Sequence, residues 1–117
     1  MTAEAVVQRQ LDAYAHDLDA LMATYADDAQ QFEHPDKLLA SGAVQIRGRF
    51  GARFQEPNLH AQLVKRIVGG NVVIDQEVVT RTFPEGAGKL ELVAIYEVLD
   101  DKIAKACFII GAKTLDK

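Results

Sequence analysis

Cysteine is all but missing from this sequence. Cys107 is the one residue of its kind, so no disulfide can form within the chain and no site of several thiolates can be built. It sits in the apolar run 106–110 and reads as an inert core thiol rather than a nucleophile. Proline occurs at Pro35, Pro57 and Pro84, each beside turn residues where an element should end. No stretch approaches the ~18 apolar residues of a membrane span, so no membrane contact is expected. A basic excess is also lacking. Thirteen Lys and Arg against 17 Asp and Glu leave a net charge of −4, which argues against nucleic acid as a partner. Arg47, Arg49, Arg53, Lys65 and Arg66 make the middle of the chain locally basic. They read as a solvated helix face and strand-edge charges, because no glycine-rich loop opens a helix in the phosphate-binding manner. His16, His34 and His60 stand far apart and never at helical ligand spacing, so no metal is expected; no cofactor is expected either. The first residues carry Glu4 and no basic patch before an apolar stretch, unlike a secretory signal, and a cytoplasmic location follows as the expectation.

What is present suits one globular domain over residues 1–117, with 49% hydrophobic and 26% charged residues. The chain turns on the stretch Tyr25 to Pro35, where a helical pattern passes through Asp27-Asp28 into a short strand. Alternation places Gln30, Phe32 and His34 on one face of that strand. Pro35 puts His34 at the strand end, where side chains often meet a cavity. Before it, Thr2 can cap a helix from Ala3 to about His16 striped with Val7, Leu11 and Tyr14. Asp17 can cap a second helix carrying Leu18, Leu21, Met22 and Tyr25. The hydroxyls of Tyr14 and Tyr25 belong to core tyrosines or to ligand contacts. After a short strand, Leu38 to Ala40, Ser41-Gly42 opens a third helix from Ala43 to about Gln55, with Ile46, Phe50 and Phe54 on its buried face.

The rest reads as two hairpins, Leu59 to Phe83 around Gly69-Gly70 and Leu90 to Ile110 around Asp100-Asp101. Helices first and strands last indicate an α+β fold with an antiparallel sheet. With Gly69-Gly70 as the loop, His60, Gln62, Val64 and Arg66 share a face with Val73, Asp75, Glu77 and Val79. Arg66 and Asp75 then pair either in a cavity or on a wet or dimer-facing surface. In the second hairpin, Val93, Ile95 and Glu97 fall with Ala104, Ala106, Phe108 and Ile110, and Leu92, Ala94, Tyr96 and Val98 with Cys107 and Ile109. A sheet this apolar on both sides needs its second face covered, which predicts a homodimer packed sheet to sheet.

In this order and spacing, Tyr25-Ala26-Asp27-Asp28-Ala29 before a strand ending at Pro35, Ser41-Gly42 before a helix with Arg47, then Asn58-Leu59-His60-Ala61, Val72-Val73-Ile74-Asp75 and Ala94-Ile95-Tyr96-Glu97-Val98 resemble the nuclear transport factor 2-like superfamily, in its SnoaL-like and ketosteroid-isomerase-like branch. The resemblance implies a curved sheet wrapped around three helices as a cone with one mostly apolar pocket, commonly in a dimer. It implies a general base just before the strand-ending proline, here His34 with Glu33 beside it. The two oxyanion donors of isomerase-like members fall near Arg9 and Ile95, and the water-activating set of epoxide-hydrolase-like members falls on Phe108, Glu77 and Val79, which cannot supply it. The expected ligand-binding residues are Tyr14, Tyr25 and Phe54 from the helical half, Phe32, His60 and Arg66 from the first strands, and Asp75, Glu77, Ile95 and Phe108 from the last three. Three readings remain: a cofactor-independent isomerase or lyase acting on a small apolar carbonyl compound, with His34 as base and Arg66 and Tyr14 polarising the substrate oxygen; a non-catalytic dimeric domain that binds an apolar metabolite; and a structural dimer with no ligand.

Overall fold

The computed structural model describes residues 1–116. Thr2 caps the first helix, α1 (Ala3–Ala13), its Oγ1 accepting from the Ala5 N–H at 3.1 Å. The helix stops short of His16 because Tyr14 is extended and Ala15 turns to a φ of 71°. Asp17 caps α2 (Leu18–Met22), accepting from the Ala20 N–H at 3.0 Å. Tyr25, expected on that helix, is instead the first residue of β1 (Tyr25–Glu33). There follow β2 (Lys37–Ser41), α3 (Ala43–Phe54), β3 (His60–Gly69), β4 (Val72–Phe83), β5 (Gly86–Leu99) and β6 (Lys102–Leu115).

The six strands form one curved, open sheet in the order β2-β1-β6-β5-β4-β3. Its concave side holds the three helices, and the α+β expectation stands. The pairing is antiparallel except between β1 and β6, which run parallel. Nothing local announces that exception, because its two strands lie at opposite ends of the chain and no turn joins them.

Three departures from the expected registers decide which side chains face inward. In β1 the inward residues are Ala29, Gln31 and Glu33, not the set of Gln30 and Phe32: Gln31 pairs with Ala106 and Glu33 with Phe108. In the first hairpin Gly69 pairs with Val72, so the loop is Gly70-Asn71, and a bulge at Val64 shifts the strand again. Arg66 therefore lies directly opposite Asp75, while His60 lies opposite Thr80 on the other face. In the second hairpin the Asp100-Asp101 loop is as expected, with both residues at positive φ. A bulge at Ala104 then reverses β6, so Ala106, Phe108 and Ile110 share the inner face with Tyr96, Ala94 and Leu92. Cys107 and Ile109 go outside with Ile95 and Val93. The core between sheet and helices is built on Val6, Val7, Leu21, Ile46, Val73, Tyr96 and Ile103.

Candidate functional site

Toward the wide end of the sheet the helices stop filling the concave side and leave a cavity of about 290 Å³. Its walls come from α1 (Gln10, Leu11, Tyr14), β1 (Gln31, Glu33), β2 (Leu39), α3 (Arg49, Phe50, Arg53) and β4 (Glu77, Val79, Arg81). Leu90, Leu92 and Tyr96 of β5 and Phe108 and Ile110 of β6 complete it. The lining is mostly apolar, as expected, with five charged side chains set among the apolar ones. A larger and shallower groove, about 630 Å³, runs between α1, α2 and the β5–β6 turn and includes His16. It holds none of the buried titratable groups, and one of its walls is tied by the Met1 amino group on Asp101 at 3.2 Å. The chemistry points to the smaller cavity.

Glu77 is the group that stands out there. Inward alternation on β4 puts it between Asp75 and Val79, and it is only 5% exposed. Among the described residues no hydrogen bond or ion pair reaches its carboxylate. Burial, reinforced by the Asp75 charge and only partly opposed by Arg66, pushes its pKa up to about 7. Tyr14, brought in by α1, stands edge-on to Phe50 and Phe54 at 6.2 and 5.9 Å between ring centres. Burial raises its hydroxyl to about 12, Glu77 and Glu56 adding to the shift and Arg53 and Arg81 opposing it. Tyr96, also on the wall, is raised well above the ordinary phenol value by burial. Both phenols are thus held as neutral hydrogen-bond donors through the physiological pH range.

At the rim, Glu56 clamps two arginines. Its oxygens accept from Arg81 Nε and Nη2 at 3.1 and 2.8 Å and from the Thr82 N–H at 2.9 Å, and Arg53 Nε lies 3.5 Å away. Burial works against the ionised form of Glu56, but these contacts outweigh it and hold its pKa below the usual carboxylate range. Deeper in, Arg49 Nη1 donates to Gln31 Oε1. Burial and the neighbouring Arg53 both lower the pKa of Arg49.

Of the residues expected at the site, Tyr14, Glu77 and Phe108 line the cavity. Phe54 and Tyr25 stand behind the wall, Tyr25 fully enclosed with its ring 5.8 Å from that of Phe50. Arg66 and Asp75 form neither of the expected arrangements. They make a two-pronged ion pair, Nε–Oδ1 2.7 Å and Nη2–Oδ2 2.9 Å, beneath α1, where Nη1 also donates to Gln8 Oε1 at 2.7 Å. This pair docks the first helix. Phe32 and Ile95 face outward on the sheet, and His60 is exposed, as the altered parity of β1 and the bulges in β3 and β6 require. His34 is exposed on the turn after β1, its backbone N–H donating to the Phe108 carbonyl at 2.8 Å, and it is not part of the cavity wall. Gln31, Arg49, Arg53, Arg81 and Tyr96 are wall residues that the sequence reading did not assign to the site, and Glu33, read there only as a neighbour of His34, is a wall residue itself. Arg49 and Arg53 adjoin Phe50 and Phe54 in sequence and are one helical turn apart, a signal that pointed to the inner edge of α3. Among the described residues no three His, Cys, Asp or Glu side chains converge as a metal site would need.

An open curved sheet closed by three helices around a charged-lined cavity defines the nuclear transport factor 2-like class of fold. The chain belongs to the SnoaL-like domain family, whose model matches residues 7–106. It is similar to a cystatin-fold protein from Novosphingobium aromaticivorans, with 25% identity and a TM-score of 0.83 over 93% of this chain and 98% of that one. An NTF2-like protein from Cytophaga hutchinsonii has 11% identity and a TM-score of 0.77 over 95% of this chain and 91% of that one. An LEH-like epoxide hydrolase of M. tuberculosis has 16% identity and a TM-score of 0.77 over 93% of this chain and 82% of that one. These last two likenesses establish the fold alone. No curated protein matches the chain in sequence.

Proposed function

We propose that the chain is a cofactor-independent isomerase or lyase that moves a proton next to the carbonyl group of a small molecule bound in the cavity. The observation that carries this reading is Glu77: a carboxylate inside the wall, unpaired, and poised near neutral pH. As carboxylate it takes a proton from the carbon beside the carbonyl. The C–H electron pair becomes a carbon–carbon double bond, and the negative charge moves to the carbonyl oxygen. Tyr14, a neutral phenol on the same wall, donates a hydrogen bond to that oxygen, the role that charge development rewards most. Glu77 then returns the proton to another carbon, which isomerises the substrate, or a group on the next carbon leaves with the electron pair. His34 was expected to take the proton. Glu77 is better placed for that step, because it lies in the wall and His34 lies outside it.

The test is proton exchange. A panel of small enolisable ketones and keto acids in deuterated water, followed by NMR, is expected to show enzyme-dependent deuterium incorporation beside the carbonyl. Glu77→Gln should slow it about 10²–10⁴-fold, the usual contribution of a positioned acid–base group. His34→Ala should leave most of it. The wild-type rate should rise with pH through about 7 as Glu77 ionises. Exchange that is insensitive to Glu77→Gln sinks the proposal.

A further inference from the structure

Three arginines reach the cavity, and they are not alike. Arg81 and Arg53 share the carboxylate of Glu56. Arg49 is held by a neutral partner instead: its Nη1 donates to the side-chain oxygen of Gln31, a residue only 1% exposed. Among the described residues no carboxylate comes within ion-pair distance of Arg49. A glutamate at position 31 would orient the guanidinium and cancel its charge; glutamine orients it and leaves the charge whole. Among the described residues the Gln31 Nε2 is buried with no hydrogen-bond partner, as is the Tyr25 hydroxyl.

The charges of the wall lead to the same place. Arg49, Arg53 and Arg81 face Glu33, Glu56 and Glu77. Arg53 and Arg81 share the one Glu56 carboxylate and Arg49 contacts only neutral Gln31, so the Arg49 charge has no direct counterpart in a partly desolvated site, an arrangement that is costly until an anion arrives. A guanidinium fork matches a carboxylate through two parallel hydrogen bonds. Glu33 and Glu77 on the same wall disfavour a second negative charge, so a monoanion suits the site better than a phosphate dianion. At about 290 Å³ the cavity has the room of about ten waters, enough for a molecule of about that many heavy atoms.

We propose that the cavity takes a small monocarboxylic acid, its carboxylate bound by Arg49 and its reacting carbon presented to Glu77. Gln31 acts as the positioning residue for Arg49. The assignment deepens the acid–base reading, since it names the substrate class of the same site, and it rests on that reading for the role of Glu77 only.

Phenylacetate and phenylacetamide, matched in shape and size and differing in charge, test it by isothermal titration calorimetry at pH 6. The wild-type protein is expected to bind the acid at least about tenfold more tightly than the amide, as one charge-assisted two-pronged contact provides. Arg49→Met should bring the ratio close to one. Gln31→Glu should do the same with the guanidinium still present, a result that a merely structural role for Gln31 would not produce. If Gln31→Glu fails to fold, Arg49→Met, at a half-exposed position, decides. Equal binding of the two probes, binding of neither, or an acid preference that survives Arg49→Met overturns the proposal. An acid preference together with deuterium exchange indifferent to Glu77→Gln upholds it while removing the acid–base reading. Glu77-dependent exchange without any acid preference overturns this proposal alone.

Discussion

Two carboxylates on adjacent inward positions of β4 have opposite circumstances. Asp75 is 0% exposed and fully engaged by Arg66, whereas Glu77 is buried with no partner among the described residues. Glu77 therefore makes stability depend on pH. Its pKa is raised from 4.5 to about 7 on folding, so the folded state holds the proton more tightly than the unfolded chain. The contribution is most favourable below the unfolded value and is lost as pH rises through the folded one, on the order of 3 kcal/mol in full. Glu77→Gln, which removes the charge, is expected to raise the melting temperature clearly at pH 8 and little at pH 5. An equal gain at both pH values would contradict the burial argument. Asp75→Ala has the opposite sense. It leaves Arg66 beneath α1 with Gln8 in hydrogen bond and the exposed Glu4 carboxylate 3.7 Å away as its remaining counter-charge, and should cost about 3 kcal/mol in urea unfolding, the low end for a buried pair that loses one partner. A loss below about 1 kcal/mol would mean that Arg66 escapes to water.

At the scale of elements, the site depends on bulges. Val64 and Ala104 each add one residue to a strand, and each addition turns the side chains beyond it to the opposite face. Without the first, Leu63 would not oppose Glu77; without the second, Phe108 would leave the cavity wall. The far end of the β5–β6 pair depends on a close backbone approach. A Cβ placed on Gly88 would lie 2.4 Å from the Thr114 carbonyl oxygen, an unyielding neighbour. Gly88→Ala is expected to cost about 1–3 kcal/mol. Hydrogen exchange should show the lost protection confined to the ends of β5 and β6, and unchanged protection there would refute the contact. In both strands the periodic pattern was readable while the bulge was not, because an inserted residue leaves no mark in composition and is selected by packing on the two sides of the sheet.

At the scale of the molecule, no helix among the described residues is long and apolar enough to cross a membrane. The convex face of the sheet carries Phe32, Ile67, Ile74, Val93, Ile95, Cys107 and Ile109, with Ile67 57% and Ile109 38% exposed. We propose, as the second hairpin with apolar residues on both faces suggested, that two copies pack through this face. Sedimentation velocity at micromolar concentration should give a dimer, and Ile95→Arg, which puts a charge at the middle of the face, should give a folded monomer. A wild-type monomer at those concentrations rules the face out as a self-interface.

Element types, their order and the class of fold were determined by the sequence, because periodicity, caps and turn residues act over a few neighbours. Thr2 and Asp17 cap their helices, Gly42 takes the positive φ that starts α3, and Asp100-Asp101 forms its turn. The helical stripes and strand-rich second half likewise needed no distant information. Tertiary structure alone decided which side of each strand faces the cavity. That choice rests on one-residue shifts whose energies come from contacts between strands far apart in the chain, as when β1 settles parallel to β6 with Gln31 and Glu33 inward. It also decided the chemistry: Glu77 differs from any other glutamate only through what surrounds it, and that environment exists once six strands and three helices have closed around the cavity.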